Sequence, residues 1–464
     1  MKTPHEQPTI AFRTLGCKLN QCETAQMEEM ARNAGFMPVP WNGHADVRVL
    51  NSCTVTAKTD RECRHEARRA KRNDPRSFLV IAGCYAQISS EAAAAVEGVD
   101  LVLGNPDKLD LVTHLSRHFS ARGPTQSSTI ARPPVSVTPY PQSRSFPALP
   151  IHHFGGYTRA FLEVQTGCNA HCSYCVIPQA RGPSCSMRLD EVVEQIRILG
   201  AAGYREVVLT GIHLGMWGRD TGEGTLADLL AALTAIPNGP RIRVSSTEPM
   251  EIDDGVLEVM KAAGMRVAHH FHVPLQSGSN AVLRRMNRPY TVEAYVERVE
   301  CMRGAFPDAA IGADVIVGFP GETDAEFRES LRVVETGALT YVHVFAYSDR
   351  PGTVASALPG KVSPEVIAER SEALRAAGAE KKRRFMSRYA GRRVEALVLG
   401  RRDAAGRLEG LTGNYMRVLF EGPDVLMNTY VELLLDRLDG DDVWGGRIAS
   451  SPAVEIRSGR SEGE

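Results

Sequence analysis

No stretch of this sequence approaches the roughly 18 apolar residues that a membrane-spanning helix needs. Its first ten residues, MKTPHEQPTI, also lack the apolar core of a secretion signal. Cysteine is scarce, with 10 among 464 residues, which is too few for a disulfide framework. These absences predict a protein of the cytoplasm, where clustered cysteines bind metal more often than they form disulfides.

An excess of charge of either sign is missing as well. The chain has 54 Lys and Arg residues against 55 Asp and Glu residues, a formal net charge of -1. This balance excludes attraction of the whole chain to nucleic acid or to an acidic membrane, so such a partner must meet a local basic patch. With 43% hydrophobic and 23% charged residues, a chain of this length predicts about three globular domains.

Short apolar runs alternate with helical periodicity over most of the chain. Residues 8–120 predict a parallel α/β domain, and the Pro- and Ser-rich segment 121–150 predicts a linker. Six further strand–helix pairs at 151–390 predict an open, partial (β/α)6 barrel, since no glycine-rich dinucleotide fingerprint indicates a doubly wound sheet. Short strands at 391–452 predict a small all-β barrel, and 453–464 a tail.

Three cysteines, Cys168, Cys172 and Cys175, share the segment CNAHCSYC after the first strand of the predicted partial barrel. These barrel cysteines can bind three irons of a [4Fe–4S] cube and leave the fourth iron open to a substrate or cofactor. The alternative is zinc, but zinc takes four ligands and no second cysteine pair is near. His171 could supply a fourth zinc ligand only if its side chain turned back into its own loop. The motif therefore predicts an iron–sulfur site.

Three more cysteines, Cys17, Cys53 and Cys84, each follow a predicted strand of the amino-terminal domain. Parallel strands bring their carboxyl ends to one edge of a sheet, so these amino-terminal cysteines can converge there. The arrangement predicts a second [4Fe–4S] site with an open iron. The alternative is that they are small buried apolar residues, which cysteine often is.

The segments around both cysteine sets resemble one family. TLGCKLNQCET, NSCTVT, AGCYAQ and QTGCNAHCSYCVIP are similar to segments of the radical S-adenosylmethionine (SAM) methylthiotransferases. RVSSTEP, FHVPLQSGSNAVLRRMNRPYT, ADVIVGFPGET and VFAYSDRPGT match further segments, and the last domain resembles the RNA-binding TRAM barrel. GCKLNQ and GCYAQ are most similar to the subgroup that acts on N6-threonylcarbamoyladenosine in tRNA.

The resemblance implies a chemistry. SAM would be bound and reductively cleaved at a [4Fe–4S] cluster on the barrel cysteines, and a second SAM would give the methyl group. A second [4Fe–4S] cluster, on the amino-terminal cysteines, would carry the sulfur. The substrate would be C2 of N6-threonylcarbamoyladenosine beside the tRNA anticodon, with an electron donor such as flavodoxin or ferredoxin. Alternatives are isopentenyladenosine in tRNA, a ribosomal-protein aspartate, or a non-catalytic iron–sulfur module that binds RNA.

Other residues are weaker candidates. By analogy with the family Tyr174 would lie against the SAM adenine, or else it fills the underside of its loop. Glu248, Gln276 and Asp314 lie near predicted strand ends and could contact SAM or the base, or be structural hydrogen-bonding groups. The cysteines expected not to be ligands are Cys22, Cys63, Cys185 and Cys301.

Two basic runs are candidate contacts for tRNA phosphates. They comprise Arg64, Arg68, Arg69, Lys71 and Arg72 in the first, and Lys381, Lys382, Arg383, Arg384, Arg388, Arg392 and Arg393 in the second. Either run alone is more often a solvated helix face. Together with the terminal barrel they favour RNA, and proteins that read RNA sequence act on unstacked loop bases, which suits an anticodon loop.

Overall fold

The computed structural model describes five stretches of the chain: 7–121, 133–141, 144–147, 150–440 and 443–449. They form a parallel α/β unit, a partial barrel and a closed β-barrel in chain order, so the predicted fold class is confirmed. None of the helices in these stretches is long and apolar enough to cross a membrane. The predicted tail and part of the predicted linker lie outside the described residues.

The amino-terminal unit is one parallel sheet with helices on both faces. Its strands are β1 (Thr9–Thr14), β2 (Met37–Pro38), β3 (Val47–Ser52), β4 (Phe78–Gly83), β5 (Leu101–Leu103) and β6 (Val135–Ser136). Its helices are α1 (Lys18–Asn33), α2 (Ala57–Asn73), α3 (Cys84–Ile88), α4 (Ser90–Ala94) and α5 (Leu111–Ala121). The strand order is β2-β1-β3-β4-β5-β6, and two apolar clusters cover the two faces. β6 comes from the segment interpreted as a linker and pairs with β5 as an edge strand.

Six parallel strands form the wall of the partial barrel. They are β7 (Ala160–Glu163), β10 (Glu206–Thr210), β11 (Arg241–Val244), β12 (His270–His272), β13 (Ala310–Val317) and β14 (Tyr341–Ala346). A small hairpin adds β8 (Gln165–Thr166) and β9 (Cys185–Ser186). The wall consists of two three-stranded sheets, β11-β10-β7 and β12-β13-β14. The N–H of Ala268 donates to the Ile242 carbonyl (2.8 Å) and joins them, which leaves β7 and β14 as the open edges.

Helices cover the outside of this wall. They are α7 (Leu189–Ala201), α8 (Leu226–Thr234), α9 (Asp254–Ala263), α10 (Asn280–Arg285), α11 (Val292–Ala305), α12 (Asp324–Thr336) and α13 (Pro364–Ser387), whereas the short α6 (Ile177–Arg181) packs against α3 of the amino-terminal unit. α8 shows how the sequence specifies them: Thr225 caps its first turn with Asp228, and Leu226, Leu229, Leu230 and Leu233 are buried on one face. The helices therefore bury their apolar stripes on the wall, and their strand-to-helix loops gather at one end of the barrel.

The carboxy-terminal barrel is a closed sheet of five strands. They are β15 (Arg393–Arg402), β16 (Leu408–Thr412), β17 (Arg417–Phe420), β18 (Tyr430–Leu438) and β19 (Val443–Ile448), in the order β15-β16-β17-β19-β18. Closure removes the exposed edges that a small sheet would otherwise present to other chains. Its core contains Phe420 and Trp444 and continues onto Phe385 and Met386 of α13, so the long helix ties it to the partial barrel.

The amino-terminal unit contacts both edges of the open wall. At one edge α1 packs against β7, with Cys22 in the apolar core of the partial barrel. At the other edge, beyond β14, Arg350 donates to Asp60 and to Thr54, each at 2.8 Å. The N–H of Ala57, the first residue of α2, donates to Ser348 Oγ (2.9 Å). The amino-terminal unit therefore spans the gap between β7 and β14.

A buried carboxylate joins the partial barrel to the carboxy-terminal barrel. Glu206 has no exposed surface and accepts from Arg241 Nε (2.9 Å) and Arg243 Nε (2.8 Å). Arg243 also donates to the carbonyls of Thr412 (3.2 Å) and Gly413 (2.9 Å) in the carboxy-terminal barrel. Burial alone would raise the pKa of Glu206, but the arginines outweigh it and hold the pKa at about 2.

We expect Glu206→Gln to lower the free energy of unfolding by about 3–5 kcal/mol at neutral pH, because it leaves buried guanidinium groups without their carboxylate. Since the native pKa lies below that of the unfolded chain, this stabilisation is present above the ordinary carboxyl pKa and is lost as pH falls toward 2. The difference in melting temperature between wild type and variant should therefore shrink in acid. Equal melting temperatures at pH 7 would contradict this account.

A second buried glutamate, Glu163 at the end of β7, has the opposite electrostatic environment. Burial and the nearby carboxylate of Glu23 raise its pKa to about 7. Glu23 is instead ion-paired with Arg181 (2.8 Å) and Lys108 (2.5 Å), which lower its pKa although burial opposes them. Of the two carboxyl groups, Glu23 therefore stays charged, and Glu163 is the one that takes up a proton as pH falls below about 7.

Glu163→Gln should therefore stabilise the protein at pH 8. A raised native pKa means that the folded chain binds more protons than the unfolded chain between about pH 4.3 and 7, so stability falls as pH rises through that window. The uncharged amide avoids this loss, which is about 4 kcal/mol at most. Thermal unfolding at pH 5 and pH 8 measures it; Glu206→Gln, with the opposite sign, is the matched control. A destabilised Glu163→Gln at pH 8 would be evidence for a charged Glu163.

Candidate functional site

The amino-terminal cysteines lie at the carboxyl ends of three neighbouring strands, β1, β3 and β4. Gly16 has φ +106°, and a Cβ there would lie 2.6 Å from the Cβ of Cys53, so the chain approaches Cys53 as only glycine can. Burial raises the pKa of Cys53 to about 12, and the neighbouring thiols of Cys84 and Cys17 raise it further. The three thiols therefore converge at one edge of the sheet.

A buried cation from the partial barrel lies beside these thiols. Arg181, the last residue of α6, is 2% exposed and donates to Asn20 Oδ1 (2.8 Å) as well as to Glu23. Its charge opposes the rise in the pKa of Cys53. Asn105 Nδ2 donates to Cys84 Sγ (3.4 Å). Sequence reasoning missed Arg181, and its position six residues after Cys175 was the only signal.

The donor set fits a three-thiolate cluster. The thiols come from three strand ends, Cys53 and Cys84 are buried while Cys17 is exposed, and a cation is present to balance thiolate charge. A buried thiol with a raised pKa stays protonated in isolation, but a bound metal deprotonates its thiol ligands. The amino-terminal cysteines could therefore hold three irons and leave one side open.

The barrel cysteines lie in the loop between β8 and α6. The N–H of Cys168 donates to the Gly182 carbonyl and that of Cys175 to the Cys172 carbonyl, each at 3.0 Å. Ser173 anchors the loop to α10, its N–H donating to the Met286 carbonyl (3.0 Å) and its hydroxyl to that of Arg285 (2.8 Å). The loop is therefore held at Cys168 and at Ser173 by contacts with other segments, and a turn at Cys172–Cys175 closes its end.

Polar groups surround these thiols in a way that suits thiolates. The N–H of Ala170 donates to Cys168 Sγ (3.3 Å), and Arg288 Nη1 donates to Cys172 Sγ (3.1 Å). Burial raises the pKa of Cys175 to about 12, with the other two thiols adding to the rise, so all three lie close together. This set also fits a [4Fe–4S] cube with one open iron.

Two glutamates pair with basic side chains that contact the barrel cysteines. Glu248 pairs with Arg288, which also lies over the Tyr290 ring at 4.9 Å. Glu251 Oε1 lies 2.6 Å from His213 Nε2, and His213 Nδ1 lies 3.5 Å from Cys168 Sγ. Glu248 is thus linked to Cys172 through Arg288. Arg288, His213 and Glu251 are residues that sequence reasoning missed.

The other candidates lie in different surroundings. Tyr174 packs against a small apolar cluster that includes Met286 and Phe319. Gln276 has φ +63° after β12, and its N–H donates to the Asp314 carbonyl (2.8 Å). Asp314 on β13 lies beside two histidines, His272 and His343. Contact of Tyr174, Glu248 and Gln276 with SAM stays a prediction.

A cavity of about 670 Å³ opens beside the barrel cysteines. It is lined by Cys168 and Asn169 of the loop, by Gln87 of the amino-terminal unit, and by Tyr140. Its volume is in the range of small-molecule sites. The cavity therefore lies between the amino-terminal unit and the partial barrel.

The second basic run is largely engaged with its own surroundings. Lys381 Nζ donates to the carbonyl of Glu335 (3.1 Å) and to that of Gly337. Acidic side chains pair with five others of the run: Arg383 and Arg384 with Glu380, Arg388 and Arg392 with Asp308, and Arg393 with Glu432. In the first run Arg69 pairs with Glu66 and Lys71 with Asp100. The local positive charge of both runs is thus smaller than the sequence suggests.

Comparisons with known proteins match both cysteine-bearing units. A model described as Radical SAM superfamily matches residues 162–334, and one described as Uncharacterized protein family UPF0004 matches residues 9–104. Among solved structures, the fold is similar to that of the radical S-adenosylmethionine methyltransferase TsrM from Kitasatospora setae, described with cobalamin and a [4Fe–4S] cluster bound. The TM-score is 0.55 at 17% identity, over 76% of this chain and 77% of that one.

Relatives in sequence cover nearly the whole chain. The threonylcarbamoyladenosine tRNA methylthiotransferase MtaB of Bacillus subtilis is 37% identical over 429 residues, which are 92% of this chain and 93% of that protein. The tRNA-2-methylthio-N(6)-dimethylallyladenosine synthase of a Parafrankia species is 35% identical over 424 residues, 89% of this chain and 83% of that protein. With both cysteine sets in place, the chain belongs to the radical-SAM methylthiotransferase family.

Proposed function

We propose that this enzyme adds a methylthio group to C2 of N6-threonylcarbamoyladenosine beside the anticodon of tRNA. The observation that carries the proposal is the 37% identity to the Bacillus subtilis threonylcarbamoyladenosine tRNA methylthiotransferase over 92% of the chain. As a member of the radical-SAM family, the protein uses an iron–sulfur cluster and SAM.

The proposal assigns one [4Fe–4S] cluster to each cysteine set. When bound, the cluster on the barrel cysteines supplies reductive cleavage of SAM, and the cluster on the amino-terminal cysteines supplies the site of the sulfur to be transferred. A one-electron donor such as flavodoxin or ferredoxin belongs to the proposal, as does a cytoplasmic location.

The chain's own residues hold the two sites in place. Ser173 fixes the barrel-cysteine loop on α10, and Arg288 and the N–H of Ala170 donate to its sulfurs. Such donors favour thiolates over thiols. Glu248 neutralises Arg288, so the shell around Cys172 carries little net charge. We assign Tyr174, Glu248 and Gln276 to the SAM site.

Arg181 connects the two sites. α6 begins two residues after Cys175, and its last residue, Arg181, is buried beside the amino-terminal cysteines. The five-residue helix α6 therefore connects the barrel-cysteine loop to the cation that balances charge at the amino-terminal cysteines. The guanidinium group has no proton to give at neutral pH, so its role is to orient and to compensate charge.

The RNA partner would contact the outer surfaces. The carboxy-terminal barrel is proposed to act as a TRAM-like RNA-binding module together with the two basic runs. Because several of these cations already pair with acidic side chains, we expect each to contribute only modestly to the affinity for RNA. The adenosine must leave its stack to reach the cysteine sites, which a loop nucleotide does at low cost.

The test of function is mass spectrometry of tRNA nucleosides from the organism with its gene deleted. We expect loss of 2-methylthio-N6-threonylcarbamoyladenosine and accumulation of its precursor, with complementation restoring the product. The 2-methylthio derivative of isopentenyladenosine should be unchanged. Loss of that derivative instead would assign the enzyme to the dimethylallyladenosine substrate of the Parafrankia relative.

Iron content and SAM cleavage test the two sites separately. Anaerobically reconstituted protein should hold about eight irons, and replacement of either cysteine set by alanine should leave about four. Without the barrel cysteines SAM cleavage should be lost. Without the amino-terminal cysteines SAM cleavage should persist while methylthiolated product is absent, because the two sets do different work.

The matched control is Cys301→Ala, which removes an exposed cysteine of α11 and should change neither iron content nor cleavage. Persistent SAM cleavage without the barrel cysteines would overturn their assignment. Loss of cleavage in a folded variant lacking the amino-terminal cysteines would mean that the work is not divided in this way.

A further inference from the structure

A cluster of histidine and carboxylate groups lies inside the partial barrel, apart from the cysteines. His272 Nε2 lies 2.9 Å from Asp314 Oδ1, and His343 Nδ1 lies 3.4 Å from the same oxygen. One ligand atom from each of the three side chains lies within 4.8 Å of the other two. No step of the proposed reaction uses these groups.

The sheet itself places the three side chains together. Asp314 and His343 are direct partners in the register of β13 and β14. His272 on β12 pairs with Gly312, two residues before Asp314 on the same strand. Side chains two residues apart on a strand point to the same face, so all three project from one face of three adjacent strands. A site on three paired strands is held more rigidly than one on loops.

We propose that His272, Asp314 and His343 form a binding site for a divalent transition-metal ion of the zinc class. Two imidazoles and one carboxylate are typical ligands of such ions, and a three-ligand set leaves a coordination position open. Bonds of about 2.0–2.1 Å to a tetrahedral ion separate the ligand atoms by about 3.3 Å. The separations of 2.9 and 3.4 Å bracket that value, and all three ligand atoms lie within 4.8 Å of one another, so the set can close around an ion.

Neighbouring groups orient His272 as a ligand. Its Nδ1 lies 3.3 Å from the Tyr341 hydroxyl, and that hydroxyl lies 2.8 Å from His270 Nε2. A histidine whose other ring nitrogen is hydrogen-bonded in this way is the usual arrangement at a metal. Gly312 makes it possible, because a Cβ there would overlap the Tyr341 ring. The Nε2 atom of His272 therefore faces Asp314.

Access to the site comes from the His343 side. The side chain of His343 is 58% exposed, whereas those of Asp314 and His272 are 24% and 12% exposed. β14 is an edge of the open wall, so an ion can enter without opening the barrel. His343 lines a cavity of about 190 Å³ between α13 and the carboxy-terminal barrel, from which a further ligand can approach.

The test is zinc binding to the reconstituted enzyme, whose cysteines are then occupied by iron. After removal of loose metal by a chelator, equilibrium dialysis against micromolar zinc should add about one zinc per chain. His343→Ala and Asp314→Asn should each lower the affinity at least tenfold. The matched control is His152→Ala, which removes an exposed histidine also paired with a glutamate and should leave zinc binding unchanged.

Zinc absorption-edge spectroscopy identifies the ligands. Nitrogen and oxygen neighbours at about 2.0–2.1 Å without sulfur at about 2.3 Å are expected. Because His343 is exposed, its replacement should leave iron content and folding intact even if Asp314→Asn does not fold. The proposal is overturned if wild-type enzyme takes up no zinc, if His343→Ala binds it as tightly as wild type, or if sulfur is among the ligands.

Discussion

The relative position of the two cysteine sets depends on one buried cation. Arg181 is held by both carboxylate oxygens of Glu23, at 2.8 and 3.1 Å, and by the side-chain oxygen of Asn20. A buried guanidinium is tolerated only when its donors are satisfied, so the amino-terminal unit cannot shift against the partial barrel without leaving that charge unpaired. Since α6 starts next to Cys175 and ends beside Cys17, this constraint sets the geometry of the whole candidate centre.

Buried ionisable groups join the parts of this protein. Glu206 with its arginines connects the partial barrel to the carboxy-terminal barrel, and Glu23 with Arg181 connects it to the amino-terminal unit. Ion pairs demand specific geometry, whereas apolar contacts tolerate sliding. The raised pKa of Glu163 fits the same logic, because burial and the neighbouring carboxylate of Glu23 make a second charge there costly.

The opening between β7 and β14 lets the amino-terminal unit contact the partial barrel beside the barrel cysteines. A closed barrel would fill its interior with side chains, but here the amino-terminal unit spans the gap and brings a second set of cysteines to it. The His272, Asp314 and His343 cluster lies on β12, β13 and β14, and β14 is one edge of that gap.

The sequence alone was sufficient for features that depend on local spacing or on strand ends. CNAHCSYC specifies three nearby thiols whatever the fold, and the amino-terminal cysteines follow strands that a parallel sheet must align at one edge. The remaining features depend on how the units pack. Arg181 beside Cys17, Arg288 on Cys172, and the strand Val135–Ser136 within a predicted linker arise from contacts between distant residues, which leave no periodicity or spacing in the chain. A sequence pattern records which face a residue is on, but which partner it meets there is set by how the units pack.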